Sequence, residues 1–373
     1  MTDLWEPRGG GRERYLAQLA DFLAGRGEEV LVLCRKLPAA AGRDPAGIEV
    51  RAFPGPAALA ERRLRRALGQ LLLRRPGAVI LAARPQREAT HYQLHSGLLR
   101  DAFAAERGSM PSALRRALYW PALRFNTRRL RSLREEEQVL GPGSRTRLMA
   151  FSAATARRLG DGPGAAAGRV VVCPPGVDRT VFSPGPSRPG LDPGLPRPYF
   201  LFVGHNFRLK GLAPALAALA ALERGGNAAG LVVAGRGPVR PWLHLASNLG
   251  LRDAPVFLGD TDQESLAALY RHAVALVHPA YHDPYPRVVP EALACGCPVV
   301  TTASCGASEL IVDGRNGFVV SRPDDVEGLA GGMRSLLDGG RRAEAGAAAA
   351  LSAEGLGLPA HLEKVAAWLG LER

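Results

Sequence analysis

Two carboxylates, two cations and a glycine triplet are the residues of this sequence best suited to chemistry. Asp283 is followed eight positions later by Glu291, between the apolar runs ALVHPA and PVVTT. Such runs read as buried strands and the stretch 289–295 between them as a helix, so Asp283 falls in a loop and Glu291 in a first helical turn. Pro290 is tolerable there because first-turn N–H groups have no intrahelical partner. The amides of Arg287, Val288 and Val289 would then face outward as anion donors, and the two carboxylates would accept from sugar hydroxyls. The same pair also fits a plain surface loop whose first-turn acid is favoured by the helix dipole.

Arg208 and Lys210 lie between the strand-like YFLFVG and an Ala/Leu helix pattern. Helix N-termini carry about +0.5 charge, so cations placed there serve an anion and not the helix. Two exposed cations on a solvated loop are the alternative. Gly9, Gly10 and Gly11 open a further helical pattern, where backbone can approach a phosphate or an acceptor closely; a plain turn fits equally. Gly306, Gly314 and Gly317, after the last strand, suit tight turns with positive φ.

Metal chemistry has little support. Cys295-Gly-Cys297 with Cys305 lacks an evident fourth ligand, and five cysteines in a long chain argue against a disulfide framework. Small buried thiols are the expectation. Asp260-Thr261-Asp262 mimics a metal-binding acidic pair, but Asp262 reads as a helix N-cap.

The elements that must position these groups alternate between strands and helices. In the first half, 13–25 reads as a helix and 29–34, 77–82, 147–152 and 169–173 as strands. In the second, strands 199–203, 231–234, 256–258, 275–278 and 298–302 alternate with helices 211–222, 241–249, 263–272 and 289–295. This pattern means βαβ units with a parallel sheet in each half, hence an α/β fold of two Rossmann-like, doubly wound domains facing a cleft. The expected boundaries are 1–178, a Pro/Gly-rich linker at 179–198, and 199–357, with a crossover helix at about 358–373 returning to the first domain.

The 373 residues suffice for two cores, and 46% apolar with 22% charged residues is a globular composition. No run reaches the 18 or so apolar residues of a membrane span, and the N-terminus lacks a basic and an apolar signal region, so the expected compartment is the cytoplasm. The net charge of +13 comes almost wholly from arginine, since Lys36, Lys210 and Lys364 are the only lysines. Excess cationic charge favours anionic partners.

The segment FVGHNFRLKG…LVVAGRGP…VFLGDTDQESLAALYRHAVALVHPAYHDPYPRVVPEALACGCPVVTTASCGASELIVDGRNGF resembles the donor domain of family 4 retaining glycosyltransferases. It looks closest to their lipopolysaccharide core glucosyltransferase I branch. MPSALRRALYWPALRF, VVCPPGVD and GGGRERYLAQLADFLAGRGEEVLVL extend the likeness more weakly to most of the chain. The resemblance implies a GT-B fold and a metal-independent transfer, with retention, from a nucleotide-diphosphate sugar such as UDP-glucose onto an envelope glycan or glycolipid. No further cofactor is implied. By position, Lys210 and Arg208 would neutralise the leaving diphosphate, Asp283 would contact the donor sugar and Glu291 the ribose. His205, Arg287 and Val288 would complete the donor site, with Gly10 and Gly11 as the phosphate or acceptor loop. Two departures stand out: His205 replaces the family's usual arginine, and Asp283, with Pro284 and Pro286, replaces glutamate before glycine-rich turns.

The first half carries three more expectations. The family has a buried strand before the glycine loop, and only 1–6 stand before Pro7 here, so that strand is expected to be missing and the true start to lie upstream. His95, and less so His91, would fall after an acceptor-side strand near the reaction centre, a structural histidine being the alternative. Between Ser112 and Arg134, seven arginines interleave with Leu114, Leu118, Tyr119, Trp120, Leu123 and Phe125. That pattern suits docking on the anionic inner face of a membrane, or a solvated face over a buried one; Arg62, Arg63, Arg65 and Arg66 would extend it. A nucleotide-sugar epimerase shares the architecture but would need an acid–base pair in the cleft. A nucleic-acid-binding protein is suggested by charge alone, with no reading motif, and nucleic acid is not an expected partner.

Overall fold

The computed structural model describes residues 2–6, 9–37, 48–160, 168–185, 194–196 and 198–371. Pro7 and part of the expected linker (186–193 and 197) lie outside them. The first half runs β1 (Thr2–Leu4), α1 (Gly11–Gly25), β2 (Val30–Lys36), β3 (Ile48–Ala52) and α2 (Ala57–Arg74). Then follow β4 (Leu81–Ala82), β5 (His91–Gln93), α3 (Leu99–Gly108), α4 (Ala113–Leu123) and α5 (Thr127–Leu140). β6 (Arg147–Ala150), α6 (Ala153–Gly160) and β7 (Val170–Val172) close it.

The second half begins with β8 (Tyr199–Val203), α7 (Leu212–Arg224), β9 (Gly230–Ala234), α8 (Arg240–Asn248) and β10 (Val256–Gly259). It continues through α9 (Gln263–His272), β11 (Leu276–His278), α10 (Val288–Ala294), β12 (Val299–Thr302) and β13 (Gly317–Val320). The helices α11 (Val326–Leu337), α12 (Gly339–Ser352) and α13 (Leu358–Leu369) finish the described chain.

The second half holds one parallel sheet in the order β10-β9-β8-β11-β12-β13. This is the doubly wound arrangement in which the strand order reverses beside the first strand, leaving a crevice at the carboxyl ends. Every residue of β8, β9 and β12 is buried, because helices cover both faces. The first half follows the same winding with an interruption: β1-β2-β3 form one parallel sheet and β4-β5-β6-β7 another. A shared core then ties the halves together. Tyr15 and Leu19 of α1 and Leu362, Val365 and Trp368 of α13 pack with Leu201, Val289 and Leu293.

The first strand is present, which corrects the expectation that it is missing. Thr2 pairs with Cys34 and Leu4 with Lys36, and the Trp5 amide donates to the Lys36 carbonyl (3.1 Å). Three residues suffice because Trp5, 2% exposed, anchors them among Ala17, Ala20 and Cys34. The strand covers only the far part of β2, however. Beside Val30–Leu33 and Val79–Leu81 lies a cavity of about 730 Å³, where the sheet is open between β2 and β4.

If Trp5 is the anchor, Trp5→Ala should lower stability by about 3–5 kcal/mol. Chemical denaturation would measure it; a loss below about 1 kcal/mol would show that β1 holds without the indole.

Candidate active site

Gly204, Gly235 and Asp260 stand one residue beyond β8, β9 and β10, and His278 ends β11. These carboxyl ends face the start of α1 across a cleft of about 600 Å³. Gly10, Gly11, Arg12, Arg14, Tyr15 and His95 line it from the first half. His205, Lys210, Asp283, Arg287, Val288 and Glu291 line it from the second. Of the residues given a site role in the sequence, Arg208, His91 and Val289 are not part of this lining.

Lys210 is placed by a turn and one glycine. The Leu212 amide donates to the Phe207 carbonyl (2.9 Å) and the Tyr281 amide to that of Leu209 (2.9 Å), which ties the loop to the one after β11. Gly211 adopts φ +86°, and a Cβ there would come within 1.9 Å of the Pro279 carbonyl oxygen. No other residue allows that approach. Lys210 Nζ consequently donates to Asp283 Oδ2, on which His278 Nε2 converges at 3.1 Å. A carboxylate only accepts, so Nε2 carries the imidazole proton; Nδ1 is buried without a partner. Burial alone would raise the Asp283 carboxyl, but the Lys210 charge and the His278 contact hold it well below the usual carboxylate range. Burial keeps His278 below the ordinary histidine value despite that acid, so the ring is neutral at neutral pH.

Glu291 lies one turn into α10, as its spacing suggested, and is buried. Burial raises its carboxyl, opposed by the charges of Arg287 and Arg14. Arg287 Nε is 3.8 Å from Glu291 Oε1. Its guanidinium crosses the cleft to donate to the Gly11 carbonyl (3.0 Å) and to Gln18 Oε1 (3.4 Å). Arg287 is therefore a strut between α10 and α1 as well as part of the wall. The Val289 amide already donates to the Pro286 carbonyl (3.2 Å), which removes it from the expected anion donors and leaves those of Arg287 and Val288.

Several other expectations change. Arg208 turns out of the cleft toward α3, where its guanidinium is 4.0 Å from Glu106. Its position two residues before Lys210 in the turn aims the two side chains apart. Gly306 and Gly317 are needed for close packing and not for positive φ: added Cβ atoms would lie 1.7 Å from the Pro284 oxygen and 2.1 Å from that of Val299. Gly314 does take a positive φ, +74°. His205 accepts from the Arg236 amide through Nδ1 (3.0 Å) and edges Gly10 across the cleft. His95 bonds Gln93 Oε1 (3.2 Å) and packs edge-on against Tyr15 and Phe151. Burial, with Arg12 and Arg287 nearby, pushes its pKa down to about 3, so it is a neutral group in the wall. His91 lies elsewhere, bonded to the Trp368 carbonyl (3.2 Å). Asp262 caps α9 by accepting from the Ser265 amide (2.8 Å), and Asp260 pairs with Arg236 (2.8 Å). Among the described residues no cluster of three or more His, Cys, Asp or Glu could hold a metal ion. All five cysteines are buried thiols.

Sequence reasoning missed Arg12, Arg14, Arg236 and His278. Arg12 and Arg14 directly follow the glycine triplet at the start of α1 and could have been found from that placement. His278 gave no signal, because a histidine ending an apolar strand reads as core.

Residues 188–351 match the family model described as Glycosyl transferases group 1. The chain is 35% identical over 178 residues to a glycogen synthase of Mycobacterium tuberculosis, covering 48% of this chain and 41% of that one. It is 37% identical over 210 residues to a D-inositol 3-phosphate glycosyltransferase of Nocardiopsis dassonvillei, covering 52% and 48%. The matches thus span about half the length of these curated relatives. Among solved structures it is similar to WaaG, a glycosyltransferase involved in lipopolysaccharide biosynthesis (TM-score 0.79, 23% identity, 99% of each chain). It is also similar to Anabaena HepE in complex with UDP-glucose (TM-score 0.70, 18% identity, 99% and 98%). Residues 188–351 are thus similar to group 1 glycosyl transferases, in a molecule that has the GT-B fold throughout.

Proposed function

We propose that the protein transfers a hexose from a nucleotide-diphosphate sugar to an envelope glycan or glycolipid, with retention and without a bound metal. The observation that carries this reading is Lys210 held against Asp283 at the carboxyl ends of the second-half sheet, facing the α1 glycine loop. A departing diphosphate gains negative charge, and fixed cations in a site screened from water stabilise it where it forms. Lys210, Arg12, Arg14 and Arg236 take the part that a divalent ion plays elsewhere. Glu291, in the wall, accepts from the ribose hydroxyls, and Asp283 orients the donor sugar. Similarity to a structure that holds UDP-glucose makes that compound the first donor to try.

Two features support an acceptor at a membrane surface. Leu114 and Phe125, 68% and 84% exposed, project with Leu118 and Trp120 from α4 and its exit, while Tyr119 and Leu123 pack inward. Arg115, Arg124, Arg128 and Arg131 are exposed around them, each contributing about 1 kcal/mol near an anionic leaflet. Arg65 does not join the patch; it turns in to Glu61 and Glu135. No helix among the described residues is long and apolar enough to cross a membrane, so docking by this face is the mode proposed, on the cytoplasmic side.

Lys210→Ala removes a charge-assisted contact of about 1.5–3 kcal/mol, so turnover of UDP-glucose should fall about 10- to 100-fold. Glu291→Gln should raise KM for the donor more than it lowers kcat. UDP release by both variants, with melting temperatures as the folding control, measures this; wild-type turnover in Lys210→Ala would overturn the assignment. In co-sedimentation, Trp120→Ser with Phe125→Ser should reduce binding to phosphatidylglycerol vesicles severalfold. Wild-type binding that ignores anionic lipid would rule out membrane docking.

A further inference from the structure

A second pocket, of about 160 Å³, opens beside the cleft on the first-half side. Arg12 and Ser96 line both spaces, so the two adjoin. Arg35 of β2, Arg84 of the loop after β4, and Arg128 and Arg131 of α5 also line it, together with Asp3, Glu61 and Glu135. Five guanidinium groups therefore meet three carboxylates; Glu13 pairs with Arg12 (2.8 Å), which leaves one positive charge in excess, and Arg128 and Arg131 reach the pocket from its solvent side.

The three acids are already committed. Asp3 is held by Arg35 (3.2 Å), Arg84 (3.6 Å) and Arg128 (3.8 Å). Glu61 accepts from Arg84 (2.8 Å), Arg65 (3.1 Å) and Gln86 (3.3 Å), and Glu135 from Arg65. Arg35 Nε nonetheless remains buried with no hydrogen-bond acceptor, and leaving such a donor unmade is costly; Arg84 Nε has only the long contact to Asp3. Arg131 has no ion-pair partner among the described residues. A ligand with several acceptor oxygens and negative charge would satisfy what the protein leaves open. The pocket is small beside the cleft, and its size admits a phosphate or carboxylate group.

We propose that this pocket binds a phosphate or carboxylate group carried by the acceptor, so that the protein selects anionic sugars. The inference rests on the transfer reading above and names its acceptor class. Arg12 and Ser96, shared by both spaces, set the anion beside the donor cleft. The guanidinium forks of Arg84, Arg128 and Arg131 then provide the planar, paired donors that suit phosphate and carboxylate oxygens.

Glucose 6-phosphate is a suitable probe, titrated calorimetrically at physiological salt against the full chain without any donor. Arg128→Gln with Arg131→Gln should weaken its binding about tenfold or more at an unchanged melting temperature, whereas Lys210→Ala should leave it within about twofold of wild type. Equal binding by wild type and the double variant would overturn the proposal, as would a loss confined to Lys210→Ala, which would place the anion in the donor cleft. A double variant that loses phosphatidylglycerol vesicles but keeps glucose 6-phosphate would equally overturn it, assigning these arginines to surface docking. Because no donor is present, the result reads independently of whether sugar transfer occurs.

Discussion

The ion pair between Lys210 and Asp283 is the constraint around which the second half is arranged. Asp283 is 6% exposed, and a carboxylate taken that far from water is tolerable only with a partner and filled lone pairs. Lys210 gives the charge, His278 a further hydrogen bond, and the Gly211 turn lets the lysine reach. The depressed carboxyl also links the pair to pH: its contribution to stability is present above the ordinary aspartate value and is lost as pH falls below it. The same economy bears on the proposed mechanism. A lysine already ion-paired presents less net charge to the solvent, and an incoming diphosphate would compete with Asp283 for it, freeing the acid to meet the sugar.

Around that pair the two halves contribute unlike things. The second half supplies strand ends, which are rigid because β8, β9 and β12 are wholly buried, and the reversal of strand order opens the crevice there. The first half supplies the glycine loop, the arginines at the start of α1 and the wall of Tyr15, His95 and Phe151. Arg287 spans the gap to Gly11 and Gln18, and α13 packs back onto α1. The excess of arginine is accordingly not one feature. Part of it knits acids in the first half, part lines the cleft and the neighbouring pocket, and part stands exposed beside Trp120 and Phe125.

The second half was legible in the sequence because parallel strands covered on both faces read as unbroken apolar runs. YFLFV and the expected helix at 263–272 coincide with β8 and α9. The first half was harder to read. β4 and β5 contain two and three residues, too few to show periodicity, and α2 and α5 carry so many arginines that their apolar stripes are diluted. Residue roles followed the same divide. Asp283, Glu291 and Lys210 met in the cleft as their spacing implied, since short loops leave little freedom. Arg208 did not, because a turn separates side chains two residues apart. The first strand was thought absent because its length was judged without Trp5, whose burial fixes a three-residue pairing. The arginine pocket could not be read at all, as its members come from positions 12, 35, 84, 128 and 131 and meet only through the winding of the sheet.

Calorimetric titration of the full chain with UDP-glucose, GDP-glucose and ADP-glucose, in EDTA, tests the central claim most directly. One of these should bind with micromolar to millimolar affinity and at one site, and the binding should survive the chelator. Absence of heat with all three, for a sample whose unfolding is cooperative, would contradict a cleft built for a sugar nucleotide.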